Sequence, residues 1–174
     1  MNLDFLKHKL FTVPFRYGLI GGGLVIVLFI VFYLLQLDPL VNIKIIDMLL
    51  LAIFIFFALK EFRDRYNNRQ LHFWQGMTAG VTCYLTVAIT SALFILIMTV
   101  IIDPAMTTNY IEGRLALLSE NQEKLVETMD EQAYADAVAG VNATTPTDLA
   151  LDDFLKKSII GLFLTIIIAV ILRK

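Results

Sequence analysis

Cysteine and histidine are almost missing from this chain: Cys83 is the single thiol, and His8 and His72 are the two imidazoles, in 174 residues. One thiol excludes an intramolecular disulfide and a cysteine-built metal site. The histidines have no companions at ligand spacing, so no metal motif runs through them. Phosphate-cradling glycine loops and nucleophile elbows are lacking as well. Charge is sparse, with 17% of residues charged against 58% hydrophobic, a balance outside that of an ordinary soluble domain. These shortages point away from an enzyme, a metalloprotein or a cofactor carrier. They point toward an all-α integral membrane protein.

What is present is a set of long apolar runs around one charged interval, Lys60 to Gln75 (KEFRDRYNNRQLHFWQ). The segment 1–16 carries Lys7, Lys9 and Arg16 and reads as cytoplasmic. Residues 17–37 form a first span, too long for a signal-peptide core and without small residues at a cleavage site, with Pro14 just ahead of it. Asp38-Pro39 makes a short turn into a second span, 43–59, which covers about 25 Å at ~1.5 Å per residue. The basic loop 60–76 follows, then a third span, 77–102, stopped by Asp103-Pro104. After the acidic segment 103–153 comes a fourth span, 154–172.

Lys and Arg orient these spans. The N-terminal segment, the central loop and the C-terminal Arg173-Lys174 together hold nine cations against three acids; the remaining stretches hold five cations and thirteen acids. Four spans with both termini cytoplasmic place the nine on the cytoplasmic face, as the positive-inside bias requires. Lys156 and Lys157 then lie at the outer end of the last span, where they are expected to snorkel toward headgroups. The same pattern makes nucleic acid an unsuitable partner, since the basic residues follow membrane topology.

The segment 103–153 is read as extracytoplasmic and helical. Ile111, Leu115, Leu118, Gln122, Leu125 and Met129 step by four and three, which predicts a helix of about five turns with one apolar seam. The cluster Gly140 to Pro146 is expected to end it, and Thr147 or Asp148 to cap the helix leading into the last span.

Small residues mark three of the spans. Gly18 and Gly22, Gly76 and Gly80, and Gly161 with Ser158, Thr165 and Ala169 form faces that let another backbone approach, either inside a four-helix bundle or against a partner helix. Thr78, Thr82, Thr86 and Thr90 form a hydroxyl row. It either lines a polar path or bonds to carbonyls one turn back. Asp47 is the acid inside a predicted span and a functional candidate on that ground, with a local pair to Lys44 as the plain alternative. In the loop, Lys60 with Asp64 and Glu61 with Arg65 have ion-pair spacing; with Arg63 they make either a contact face for a partner or anionic lipid, or a solvated helix end. Tyr66, His72, Phe73 and Trp74 suit an interfacial belt.

Three stretches carry a resemblance: Lys60-Glu61-Phe62-Arg63-Asp64, then Leu71-His72-Phe73-Trp74-Gln75-Gly76, and the exit Asp103-Pro104. Together they resemble domain-of-unknown-function family 4199, small four-span proteins of the bacterial inner membrane. His72 stands where the resemblance leads one to expect serine or threonine. The resemblance implies no catalytic residues and suggests an accessory membrane subunit, serving envelope glycan or lipid assembly. The expected function is therefore a non-enzymatic scaffold or accessory subunit, with membrane lipids and a membrane-protein partner or a second copy as its contacts. The rival is a small transporter or channel component using the threonine row (Thr82, Thr86, Thr90) and Asp47. An enzyme acting on lipid-linked substrates would have to draw on Glu61, Asp64 and His72.

Overall fold

The computed structural model describes the backbone of residues 3–42 and 44–173, without the side chains of 3–7, 41, 42, 44, 45, 123, 124 and 129. Ile43 and Lys174 thus lie outside the described residues, as do the side chains of Asp4, Lys7, Lys44 and Met129. The described chain is helical, in the order α1 (Leu3–Leu34), α2 (Pro39–Asn42), α3 (Lys44–Glu61), a π turn (Phe62–Tyr66), α4 (Phe73–Ile97), a second π turn (Met98–Ile102), α5 (Ala105–Glu120), α6 (Gln122–Met129), α7 (Glu131–Asn142) and α8 (Pro146–Leu172). Three stretches are long and apolar enough to cross a membrane: His8–Leu34, Phe73–Ile102 and Pro146–Leu172. Helix α3, expected as a span over 43–59, is not among them. It has 18 residues and carries Asp47 near one end and Lys60 and Glu61 at the other.

The helix ends differ from expectation in instructive ways. Pro14 lies inside α1, fully buried, rather than ahead of it. It costs the helix one hydrogen bond without ending it. The helix stops at Leu34 instead of residue 37, closed by Leu37 N–H donating to the Phe32 carbonyl at 3.0 Å and Gln36 N–H to Tyr33 at 3.1 Å, with Gln36 left-handed at φ 58°. This is a Schellman ending in which glutamine occupies the position that glycine usually holds. Helix α8 starts early because Thr145 caps it: Asp148 Oδ2 accepts from Thr145 N at 2.8 Å and from its hydroxyl at 2.6 Å, with Pro146 in the first turn. The cap is thus Thr145, and Asp148 is its reciprocal partner three residues on.

The chain forms two compact units, Met1–Leu93 with Asp152–Lys174, and Phe94–Leu151. In the first, contact pairs give the helix directions. Gly21 of α1 meets Phe54 of α3 and Arg16 meets Glu61, so these two are antiparallel. Gly18 meets Thr86 and Gly22 meets Thr90, so α1 and α4 are parallel. Gly76 meets Ala169, Gly80 meets Thr165 and Gly161 meets Tyr84, so α4 and α8 are antiparallel. The result is an up-down-up-down body with a core that includes Ile55, Leu59, Phe62, Leu71, Cys83 and Val87. Outward it presents large apolar side chains such as Phe15, Leu93, Phe163 and Ile171.

In the second unit the expected five-turn helix is broken. Asn121 separates α5 from α6, its side-chain amide donating to the Leu117 carbonyl at 2.9 Å, and Asp130 at φ 74° caps α7 by accepting from Ala133 N at 2.8 Å. A single-seam helix standing alone has nothing to bury its apolar side against. Folding back lets α5, α6 and α7 bury Leu115, Leu118 and Leu125 in part among themselves.

No described glycine adopts a positive φ; the left-handed positions are Gln36, Asn68, Arg69 and Asp130. Gly18, Gly21 and Gly22 of α1, Gly76 and Gly80 of α4 and Gly161 of α8 serve close approach instead. A methyl group at Gly80 would lie 2.2 Å from Thr165 Cγ2, whereas one at Gly23 would meet nothing within 4 Å. Gly80→Ala is therefore expected to destabilise the protein by about 1–3 kcal/mol of overpacking, only partly offset by helix propensity. Gly23→Ala should be neutral or gain up to about 1 kcal/mol. Thermal unfolding in one detergent decides between these outcomes.

Candidate functional site

Two polar clusters lie at opposite ends of the first unit. At one end α3 runs into the π turn and an ordered corner. Glu61, with a side chain only 9% exposed, accepts from Tyr17 OH at 2.5 Å, from Arg16 Nη2 at 3.1 Å and from Arg65 Nη1 at 3.5 Å. The Glu61–Arg65 pair expected from spacing is present. Asp64, however, turns to Arg63 Nε at 2.7 Å, and Lys60 Nζ sits 5.8 Å above the Phe56 ring. Asp64 has the nearer guanidinium of Arg63 as its partner, and a charge-assisted bond of this kind is the stronger one. The Arg63 guanidinium beside Asp64 holds its carboxyl below the ordinary carboxylate range.

The corner is folded tightly. Asn67 Nδ2 donates to Gln75 Oε1 at 2.8 Å and to the Gln70 carbonyl at 2.5 Å, while His72 N–H donates to the same Gln75 oxygen at 3.1 Å. Arg69 N–H closes on the Arg63 carbonyl at 2.9 Å, and Leu71 is fully buried beneath. Arg65 remains exposed, as do Phe73 and Trp74 beyond the corner.

At the other end Asp47, Ser91, Asp153 and Lys157 converge from α3, α4 and α8. Lys157 Nζ donates to Asp47 Oδ2 at 2.9 Å and to Asp153 Oδ1, and Ser91 Oγ donates to Asp153 Oδ2 at 2.6 Å. Asp47 is 8% exposed and Lys157 7%. Lys157 lies about 22 Å along α8 from Leu172 and Ser91 about 27 Å along α4 from Phe73, so the cluster is remote from the corner. The partner that Asp47 shows among the described side chains is thus Lys157 of another helix, and Lys157 points inward rather than to headgroups. Two carboxylates within reach hold the ammonium. Lys156, exposed, pairs with Asp152. The partners of Asp47 are far away in sequence, and the available signal was the Asp153–Lys157 spacing at the start of α8.

The threonine row is spent on its own helix. Thr78 donates to the Trp74 carbonyl at 2.9 Å, Thr82 to Thr78 at 2.8 Å, and Thr86 and Thr90 each to the carbonyl four residues back at 2.7 Å. Its outward side at Thr86 and Thr90 receives Gly18 and Gly22. In the second unit an open groove of about 670 Å³ includes Tyr110, Arg114, Leu118, Leu125 and Val141 in its lining, with Arg114 Nε donating to Tyr110 OH at 3.2 Å. Among the described residues no three His, Cys, Asp or Glu side chains are placed to hold a metal.

Lys157→Met leaves Asp47 and Asp153 enclosed without their cation and is expected to cost about 3–5 kcal/mol. Adding Asp153→Asn to that variant should recover most of the loss, a non-additivity that denaturant unfolding of the two single variants and the double variant measures.

No curated protein and no solved structure matches this sequence. One family model does, over residues 16–174, a stretch that contains both polar clusters and every close-packed glycine described above. The chain belongs to the family described as protein of unknown function (DUF4199).

Proposed function

We propose that this protein is a non-enzymatic integral membrane protein of the bacterial inner membrane, acting as a scaffold or accessory subunit of an envelope-associated complex. In this reading it spans the membrane four times, with both termini and the Lys60–Gln75 corner cytoplasmic and Phe94–Leu151 extracytoplasmic. Counting α3 as a span is supported by its pairing at both ends, Glu61 with Arg16 and Asp47 with Lys157, so that it crosses the same thickness as its neighbours.

The observation that carries the reading is how the interior polar and small groups are used. Threonine hydroxyls bond to their own helix, glycine faces close on neighbouring helices, and Asp47 is tied to Lys157. What the body offers outward is apolar surface, and exposed Arg65 at the corner. Such a surface suits lipid and a membrane partner. The glycine pairs Gly76/Gly80 and Gly161 belong to the body itself, so they are unsuitable as probes of a partner.

The test is native-nanodisc purification of the tagged protein, with particle mass and co-purifying proteins determined by mass spectrometry. A stoichiometric partner, reduced at least severalfold by Gly23→Leu or Arg65→Gln while unfolding temperature is kept, is the expected outcome. A lone monomer unaffected by either substitution would overturn the reading. Ion or solute flux in proteoliposomes separates the rival: Thr86→Val should leave flux at background, and a flux that this substitution alters would favour a conduit.

A further inference from the structure

Among the described side chains, the cluster around Lys157 has an excess of negative charge. From α3 it receives Asp47, from α8 Asp153 and Lys157, and from α4 the uncharged Ser91; the exposed Asp152–Lys156 pair beside it is neutral as a unit, and the Lys44 side chain lies outside the described residues. Among these described groups two carboxylates share one ammonium. Three of the four carboxylate oxygens have donors: Asp153 Oδ1 and Asp47 Oδ2 take Lys157, and Asp153 Oδ2 takes Ser91. The fourth, Asp47 Oδ1, is enclosed and has no donor among the described residues.

A buried carboxylate oxygen without a donor is costly, and two acids sharing a site resist being ionised together. One proton answers both problems. It cancels the excess charge and converts the under-bonded anion into a neutral acid, whose burial costs far less. Both oxygens of Asp153 already accept hydrogen bonds, from Lys157 and from Ser91. Asp47 has an oxygen free to hold the proton.

We propose that the Asp47–Lys157–Asp153 cluster is a proton-binding site, holding one exchangeable proton per chain on Asp47 Oδ1 at neutral pH. The proton comes from water, and the site lies toward the end of the bundle remote from the Lys60–Gln75 corner. Ser91 and Lys157 are positioning residues that occupy the two oxygens of Asp153. The proposal is independent of any partner and stands or falls apart from the scaffold reading.

Infrared spectroscopy of the full chain in lipid nanodiscs tests it directly. At neutral pH the wild type should show one protonated-carboxyl stretch that shifts in heavy water and with aspartate-specific carbon-13 labelling. The band should be lost in Asp47→Asn and retained in Glu61→Gln. A wild-type spectrum without such a band, or a band that survives Asp47→Asn, would overturn the assignment. If Asp47→Asn does not fold, the labelled wild-type spectrum still decides, because a band insensitive to aspartate labelling rules the cluster out.

Discussion

The close approach of α4 and α8 is the constraint from which the rest of the first unit follows. Gly76 against Ala169, Gly80 against Thr165 and Tyr84 against Gly161 fix a single antiparallel register with four-residue steps. Backbones that come this near gain dispersion contacts along their whole length, a source of helix association that does not depend on water. A slide of one residue in either direction would press side chains into the spaces that the glycines leave. The register therefore continues upward unaltered and delivers Ser91 to Asp153, which sets the ion cluster in place. On its other side α4 takes α1 through Gly18 and Gly22, and that contact brings Arg16 and Tyr17 to Glu61.

Polar satisfaction follows a matching logic. Groups in the apolar middle find partners within their own helix, as the threonines do, whereas groups near the ends find partners across helices. Glu61 gathers donors from α1 and from its own continuation, and Asn67 and Gln75 stitch the corner without help from a long side chain. Exceptions carry information in such an interior. Thr165 packs against Gly80, and its hydroxyl has no hydrogen-bond partner among the described residues.

Much of this architecture was readable from residue order, because apolar length, small-residue spacing and threonine behaviour are local properties. The helical class, the small faces and the helix-bonded alternative for the hydroxyl row all follow from that. What escaped was set by distant or compensating interactions. Lys157 reads as a snorkelling cation unless Asp47, from another helix, is known to lie beside it. The early start of α1 and its early stop at Leu34 depend on Pro14 being tolerated and on Gln36 taking a conformation that glycine ordinarily signals. The break at Asn121 is likewise tertiary: periodicity reports that an apolar seam exists but not that the chain will fold back to cover it. Helix α3 is the mixed case, since charged residues near its ends shorten its apolar stretch while contacts at those same ends match its length to its neighbours.

Cys83 sits fully buried where α4 meets α1, its carbonyl 2.7 Å from where a methyl on Gly18 would be. Since it is the only sulfhydryl in the chain, the molecule contains its own unambiguous chemical reporter. A thiol-reactive dye finds no competing site, so every labelled molecule marks an event in which this helix seam parted, and the labelling rate becomes a clock for breathing of the bundle in whatever lipid or detergent surrounds it.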